Sequence, residues 1–195
     1  MAITKIKGTS SFTNLTKYDS FLAGNAAYNP SSYESIASFT PTSGSSVTFT
    51  SIPSTYVSLQ IRYSIITSSA GAVIQLRFNG DTTSNKDIHK LQGDGSTAQA
   101  GANINQTNIM IGDDLVGTST TQPTVGIVDI HNYASTTQNK TVRTLAGIDQ
   151  NGTGAIALLS GLWRSTSAIN SATIVFGGGP TFSTGSTIAL YGIKA

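Results

Sequence analysis

Two histidines, His89 and His131, are the only imidazoles in this chain of 195 residues. Hydrolytic chemistry would need one of them held by a carboxylate beside a nucleophilic hydroxyl. His131 stands in Val128-Asp129-Ile130-His131-Asn132-Tyr133, where strand alternation puts it on the same face as Asp129 and Tyr133. An aspartate two residues before a histidine can orient a base, but no Gly-x-Ser-x-Gly elbow supplies a nucleophile. Asp129 and His131 therefore read as surface polar residues or interface contacts. Glycoside cleavage needs two carboxylates facing one another across a cleft, and the adjacent Asp113-Asp114 reads instead as a loop pair. The run from Asn79-Gly80-Asp81 through Asn85 and Asp87 has the oxygen ligands calcium prefers, without the EF-hand spacing or its terminal Glu. Zero cysteines rule out a disulfide framework and thiolate zinc sites. Gly177-Gly178-Gly179-Pro180 is followed by no Lys-Ser/Thr and reads as a wide turn. The expectation is a protein that is not an enzyme, with no catalytic residue, no cofactor and no metal.

The elements that would position these residues are strands. Ser and Thr together number 54, Gly 20, and there is a single Glu, Glu34, while Val, Ile, Thr and Tyr are plentiful. That composition favours pleated, half-buried surfaces over helices. Nine segments alternate well enough to be strands: Ser35–Phe39, Val47–Ile52, Val57–Thr67, Ala72–Phe78, Val125–Tyr133, Thr141–Ile148, Ala155–Trp163, Ala172–Phe176 and Thr187–Ile193. In Val57-Ser58-Leu59-Gln60-Ile61-Arg62-Tyr63 the odd positions are apolar, so Arg62 points to solvent or to an interface. Asn79-Gly80 and Asn151-Gly152 tolerate positive φ and mark tight turns, the second closing a hairpin from Thr141 to Trp163.

Such a pattern, without room for crossover helices, predicts an all-β fold: an antiparallel, jelly-roll-like β-sandwich of eight or nine strands. Asp81 to Pro123 stands out as a long irregular interval, with an exposed excursion over Leu91 to Ala102 and a short strand hidden in Asn103 to Ile111. Trp163, the only indole, is expected to pack in the core or at a subunit contact. The Thr187–Ile193 strand is expected to be docked in the sandwich.

Charge narrows the partners. Lys and Arg number 11 against 9 acids, but Lys5, Lys7 and Lys17 precede the first acid at Asp19, leaving eight bases against nine acids from Asp19 onward. A near-neutral body without a basic stripe does not fit nucleic-acid binding. No run reaches the eighteen or so apolar residues of a membrane span, and Met-Ala-Ile-Thr-Lys-Ile-Lys has no apolar signal core, so the expectation is a soluble protein without a secretory address. Residues 1–34 scatter Ile3, Ile6, Phe12, Leu15, Tyr18, Phe21, Leu22, Tyr28 and Tyr33 through a polar background. They are too many to leave in water and too loosely patterned for a core, so they are expected to form an extended partner-binding arm before a domain at 35–195.

Several stretches carry a resemblance. Leu15-Thr16-Lys17-Tyr18-Asp19, Ser51-Ile52-Pro53-Ser54-Thr55-Tyr56, Phe78-Asn79-Gly80-Asp81, Asn139-Lys140-Thr141-Val142-Arg143, Ser160-Gly161-Leu162-Trp163 and Leu190-Tyr191-Gly192-Ile193-Lys194-Ala195 make the chain similar to a family of tailed-bacteriophage virion proteins. The resemblance spans nearly the whole length and brings no catalytic residue. It implies a virion structural protein, assembled in the host cytoplasm as a homo-oligomer, a trimer in the phage setting. Two roles stay open. One is a capsid decoration or cement protein binding the major capsid protein or another virion protein through the arm. The other is a tail or head fibre adhesin whose Asp81-to-Pro123 loops bind a host surface glycan.

Overall fold

A computed structural model describes residues 32–112 and 116–194. Among them the chain forms twelve strands and no helix. In order these are β1 (Tyr33–Phe39), β2 (Ser46–Phe49), β3 (Ser58–Ile65), β4 (Val73–Phe78), β5 (Lys86–Gly93), β6 (Ala98–Gln106), β7 (Ile109–Gly112), β8 (Thr124–His131), β9 (Lys140–Asp149), β10 (Gly154–Trp163), β11 (Ala172–Gly177) and β12 (Thr187–Ile193). They make an eight-stranded sheet ordered β1-β12-β3-β8-β9-β10-β5-β6 and a four-stranded sheet ordered β2-β11-β4-β7, with antiparallel pairing throughout. The first four strands alternate between the two sheets, so the chain stitches the layers together as it folds.

All nine expected strands are present, and β9 and β10 form the expected hairpin, with Asn151 and Gly152 at φ 57° and 104° in its turn. Asn79 and Gly80 also take positive φ, and Asp81 N–H closes the turn on Phe78 C=O at 2.9 Å. That turn carries the chain from the small sheet to the large one rather than closing a hairpin. β12 lies between β1 and β3, so the last strand is docked on both edges. Lys194 and Glu34 pair at the end of this contact.

The interval after Asp81 departs from expectation. Leu91 to Ala102 is no excursion: β5 and β6 form a hairpin paired from Lys86↔Gln106 to Gly93↔Ala98, with a register shift between Lys86 and Ile88, which widens the large sheet. β7 then crosses to the small sheet and pairs with β4. The hairpin lacks the usual strand signature for a physical reason. In β5 the apolar Ile88 is buried while Leu91 faces outward, and β6 lies at the sheet edge with eight of its nine residues exposed. No burial pattern reaches the sequence from such a strand. β1 begins at Tyr33, so Tyr33 belongs to the body and not to the arm. Ile3, Ile6, Phe12, Leu15, Tyr18, Phe21, Leu22 and Tyr28, like Asp113-Asp114, lie outside the described residues.

The core fills the space between the sheets. Leu59, Ile61, Val128 and Leu159 from the large sheet meet Ile74, Leu76 and Ile174 from the small one, all at 1% exposure or less. Tyr63 lies across Gly126, where a methyl group would overlap its ring, and its hydroxyl donates to Ile111 C=O at 2.6 Å. Burial raises that phenol far above its ordinary range. Gly161 likewise leaves room for Ile109 of the opposite layer.

Candidate assembly face

Half of the candidate chemistry lies on the outer face of the large sheet, where strand register orders it into rows. One row is polar: Gln60 of β3, Asp129 of β8, Arg143 of β9, Ser160 of β10 and His89 of β5 are successive cross-strand partners. Arg62 Nε donates to Gln60 Oε1 at 2.7 Å, Gln60 Nε2 to Asp129 Oδ1 at 2.8 Å, and Arg143 to Asp129 Oδ2 at 3.0 Å. Burial pushes the Asp129 carboxyl up, but the hydrogen bonds from Gln60 and Arg143 outweigh it and leave the group below the usual carboxylate range. The Arg62 guanidinium stacks over Tyr191 and Tyr33, with centroids at 4.9 and 5.1 Å.

The neighbouring row is apolar. Leu91, Leu158, Leu145 and Ile127 pair in succession across β5, β10, β9 and β8, and end against Arg62. Val125 and Ile156 flank this row, and all six aliphatic side chains are between 43% and 59% exposed. Six such side chains in contact leave an apolar area on the order of several hundred Å², the size at which patches mark interaction sites. The small sheet behaves differently: its outward positions include Ser46, Thr48, Gln75 and Arg77, and Thr48 hydrogen-bonds Thr173 at 3.0 Å. One sheet thus turns a polar face outward and the other an aliphatic one, although both belong to one sandwich.

Asp129 and His131 share the outer face as alternation predicts, but not as a catalytic pair. Both Asp129 oxygens receive side-chain donors from Gln60 and Arg143, and His131 sits opposite Thr141. His131 and His89, three strands apart, line the same shallow depression of about 430 Å³ with Arg143 and Leu158. One feature lies beyond the sequence expectations: Asp87-Ile88-His89 on β5 repeats Asp129-Ile130-His131 on β8, so both histidines occur in one tripeptide. The repeat was visible in the sequence; that both copies share a face was not, because β5 had no strand signal.

The other half of the candidate chemistry is internal. The Asn79-to-Asp87 run, read as a possible calcium loop, closes around a lysine. Lys86 Nζ donates to Asp81 C=O at 2.8 Å and Thr83 C=O at 2.9 Å, and lies 3.3 Å from Asp81 Oδ2. Trp163 is buried as expected, packs on Phe78, and donates its Nε1 to Asp81 Oδ2 at 2.7 Å. Burial raises the Asp81 carboxyl, but donors from Thr83, Trp163 and Asn85 together hold it well below its ordinary range. Lys140, on the other side of Trp163 in the sheet, repeats the arrangement with the carbonyls of Ser135 and Gln138 at 2.7 Å each and Ser165 at 3.3 Å. Burial draws both ammonium groups below the usual lysine range, for Lys86 partly against the Asp81 charge. Among the described residues, no group of three His, Asp or Glu side chains converges to hold a metal.

Comparison of the chain with known protein families, with curated proteins and with solved structures finds no match.

Proposed function

We propose that the chain is a non-enzymatic structural protein of a bacteriophage virion, a capsid decoration or cement protein that works through protein–protein contact. The observation that carries this reading is the aliphatic row across the outer face of the large sheet, a surface suited to assembly and not to turnover. The polar groups beside it are tied to one another, Asp129 to Gln60 and Arg143, which suits a fixed contact surface. The resemblance to tailed-phage virion proteins supplies the particle, and the capsid shell the partner, with attachment through the residues before Tyr33.

The fibre-adhesin alternative placed its glycan site in loops between Asp81 and Pro123. About half of that interval is sheet, in β5, β6 and β7, and the described loops between these strands are short, which favours the decoration role. Quantitative mass spectrometry of purified virions tests the reading. A copy number matching the capsomers supports it, a number matching tail or vertex attachment points returns the adhesin, and absence from particles refutes both.

A further inference from the structure

We propose that the outer face of the eight-stranded sheet pairs with the same face of a second copy, across a two-fold axis that runs close to the strand direction between β9 and β10. This deepens the assembly reading above by naming the surface and its occupant.

The aliphatic row is symmetric about that line. Ile127 and Leu145 lie on one side, Leu158 and Leu91 on the other, in unbroken cross-strand register. A rotation about an axis along the strands sets β8 of one copy over β5 of the other and β9 over β10. Ile127 then meets Leu91 of the second copy, and Leu145 meets Leu158. Sheets stacked face to face sit about 10 Å apart with strands nearly aligned, a gap that these side chains fill from both sides.

The charges select this axis over its alternative. Asp129 shares its row with His89, and His131 shares its row with Asp87, each pair three strands apart within one copy. The same rotation brings Asp129 over His89 of the other copy and His131 over Asp87, because the Asp-Ile-His tripeptide occurs once on β8 and once on the antiparallel β5. Each imidazole then faces a carboxylate, Asp129 already holding Gln60 and Arg143 and Asp87 holding Arg164 and the Asn105 N–H, each with a lone pair left for one more donor. A two-fold across the strands would instead lay Asp129 and Arg143 on the Val125–Gly147–Ile156 row, burying charge against aliphatic surface at a large desolvation cost. A face offered whole to one partner suits a two-fold contact; a three-fold contact would have to use the sheet edges.

The chain has no cysteine, which makes a thiol cross-linking test clean. Positions 91 and 127 lie side by side three strands apart in one copy, about 14 Å, whereas across the stacked faces they lie about 10 Å apart with their side chains pointing at each other, beyond a direct disulfide but within reach of a short thiol cross-linker. The double variant Leu91→Cys with Ile127→Cys in the full chain, treated with a short bifunctional thiol cross-linker, is expected to give a covalent dimer on a non-reducing gel, while each single variant stays monomeric on that gel. Sedimentation equilibrium of the unmodified chain is expected to give a dimer, which Leu145→Asp weakens at least about tenfold while its strand circular dichroism is kept. A monomeric unmodified chain, single variants that cross-link as well as the double, or a dimer indifferent to Leu145→Asp would each overturn the inference. None of these results depends on the presence of the protein in virions, so the two proposals fail separately.

Discussion

Replacing Lys86 with Met tests whether an internal ammonium organises the turn that joins the two sheets. The side chain is fully buried, makes two short hydrogen bonds to carbonyls and lies beside the Asp81 carboxylate. Met matches its length, so the substitution removes the charge and leaves the packing nearly intact. Breaking a buried pair by removing one partner costs about 3–5 kcal/mol, because the other charge is left uncompensated. Asp81 keeps donors from Thr83, Asn85 and Trp163, which places the expected cost near the lower end, about 3 kcal/mol. At roughly 2–4 °C per kcal/mol for a domain of this size, the melting temperature should fall by about 10 °C. Urea unfolding followed by Trp163 fluorescence reports the same event, since the indole is bonded to the carboxylate concerned. Lys140→Met is the internal comparison: its ammonium is held by carbonyls alone, so no carboxylate is stranded, and it should cost less than Lys86→Met. A loss below about 1 kcal/mol for Lys86→Met, or the reverse order of the two variants, would refute the idea that the Asp81 pairing organises this turn.

The Asp81 carboxyl has its folded-state pKa below the unfolded value of about 3.9, so its contribution is complete above that range and is lost as pH falls through and below it. The urea midpoint should therefore drop between pH 6 and pH 3, and Asp81→Asn, although less stable, should show a smaller drop. Gly126→Ala pushes a methyl into the Tyr63 ring, which is pinned by its bond to Ile111 C=O; a loss of about 1–3 kcal/mol is expected in chemical denaturation, and a neutral result would mean that the ring moves freely. Leu145→Asp should change the stability of the monomer by no more than about 0.5 kcal/mol, because that side chain is half exposed and outside the core; a severe loss would place Leu145 in the fold and not on an assembly face.

Strand chemistry and turn residues settle much of this protein before any coordinate is known. Alternation in Leu59-Gln60-Ile61-Arg62-Tyr63, the Asn-Gly turns and the scarcity of helix formers determine an antiparallel all-β body, because a period of two and positive-φ turns are local properties of the chain. The repeated Asp-Ile-His is equally local and legible. What the local pattern could not decide is which face of a strand looks inward. In β10 both faces carry aliphatics, Ile156 and Leu158 on one and Ala157 and Leu159 on the other, and the sequence favours neither. The packing partner decides. β7 crosses so closely over β10 that Gly161 must leave space for Ile109, so the face carrying Ala157, Leu159 and Gly161 turns inward and Ile156 and Leu158 are left outside. The same holds for β6, whose place in the sheet comes from pairing with β5, itself paired with β10, and not from burial of its own side chains. The aliphatic outer face is therefore a tertiary property: it consists of the side chains that the core, filled from the other layer, had no room to take.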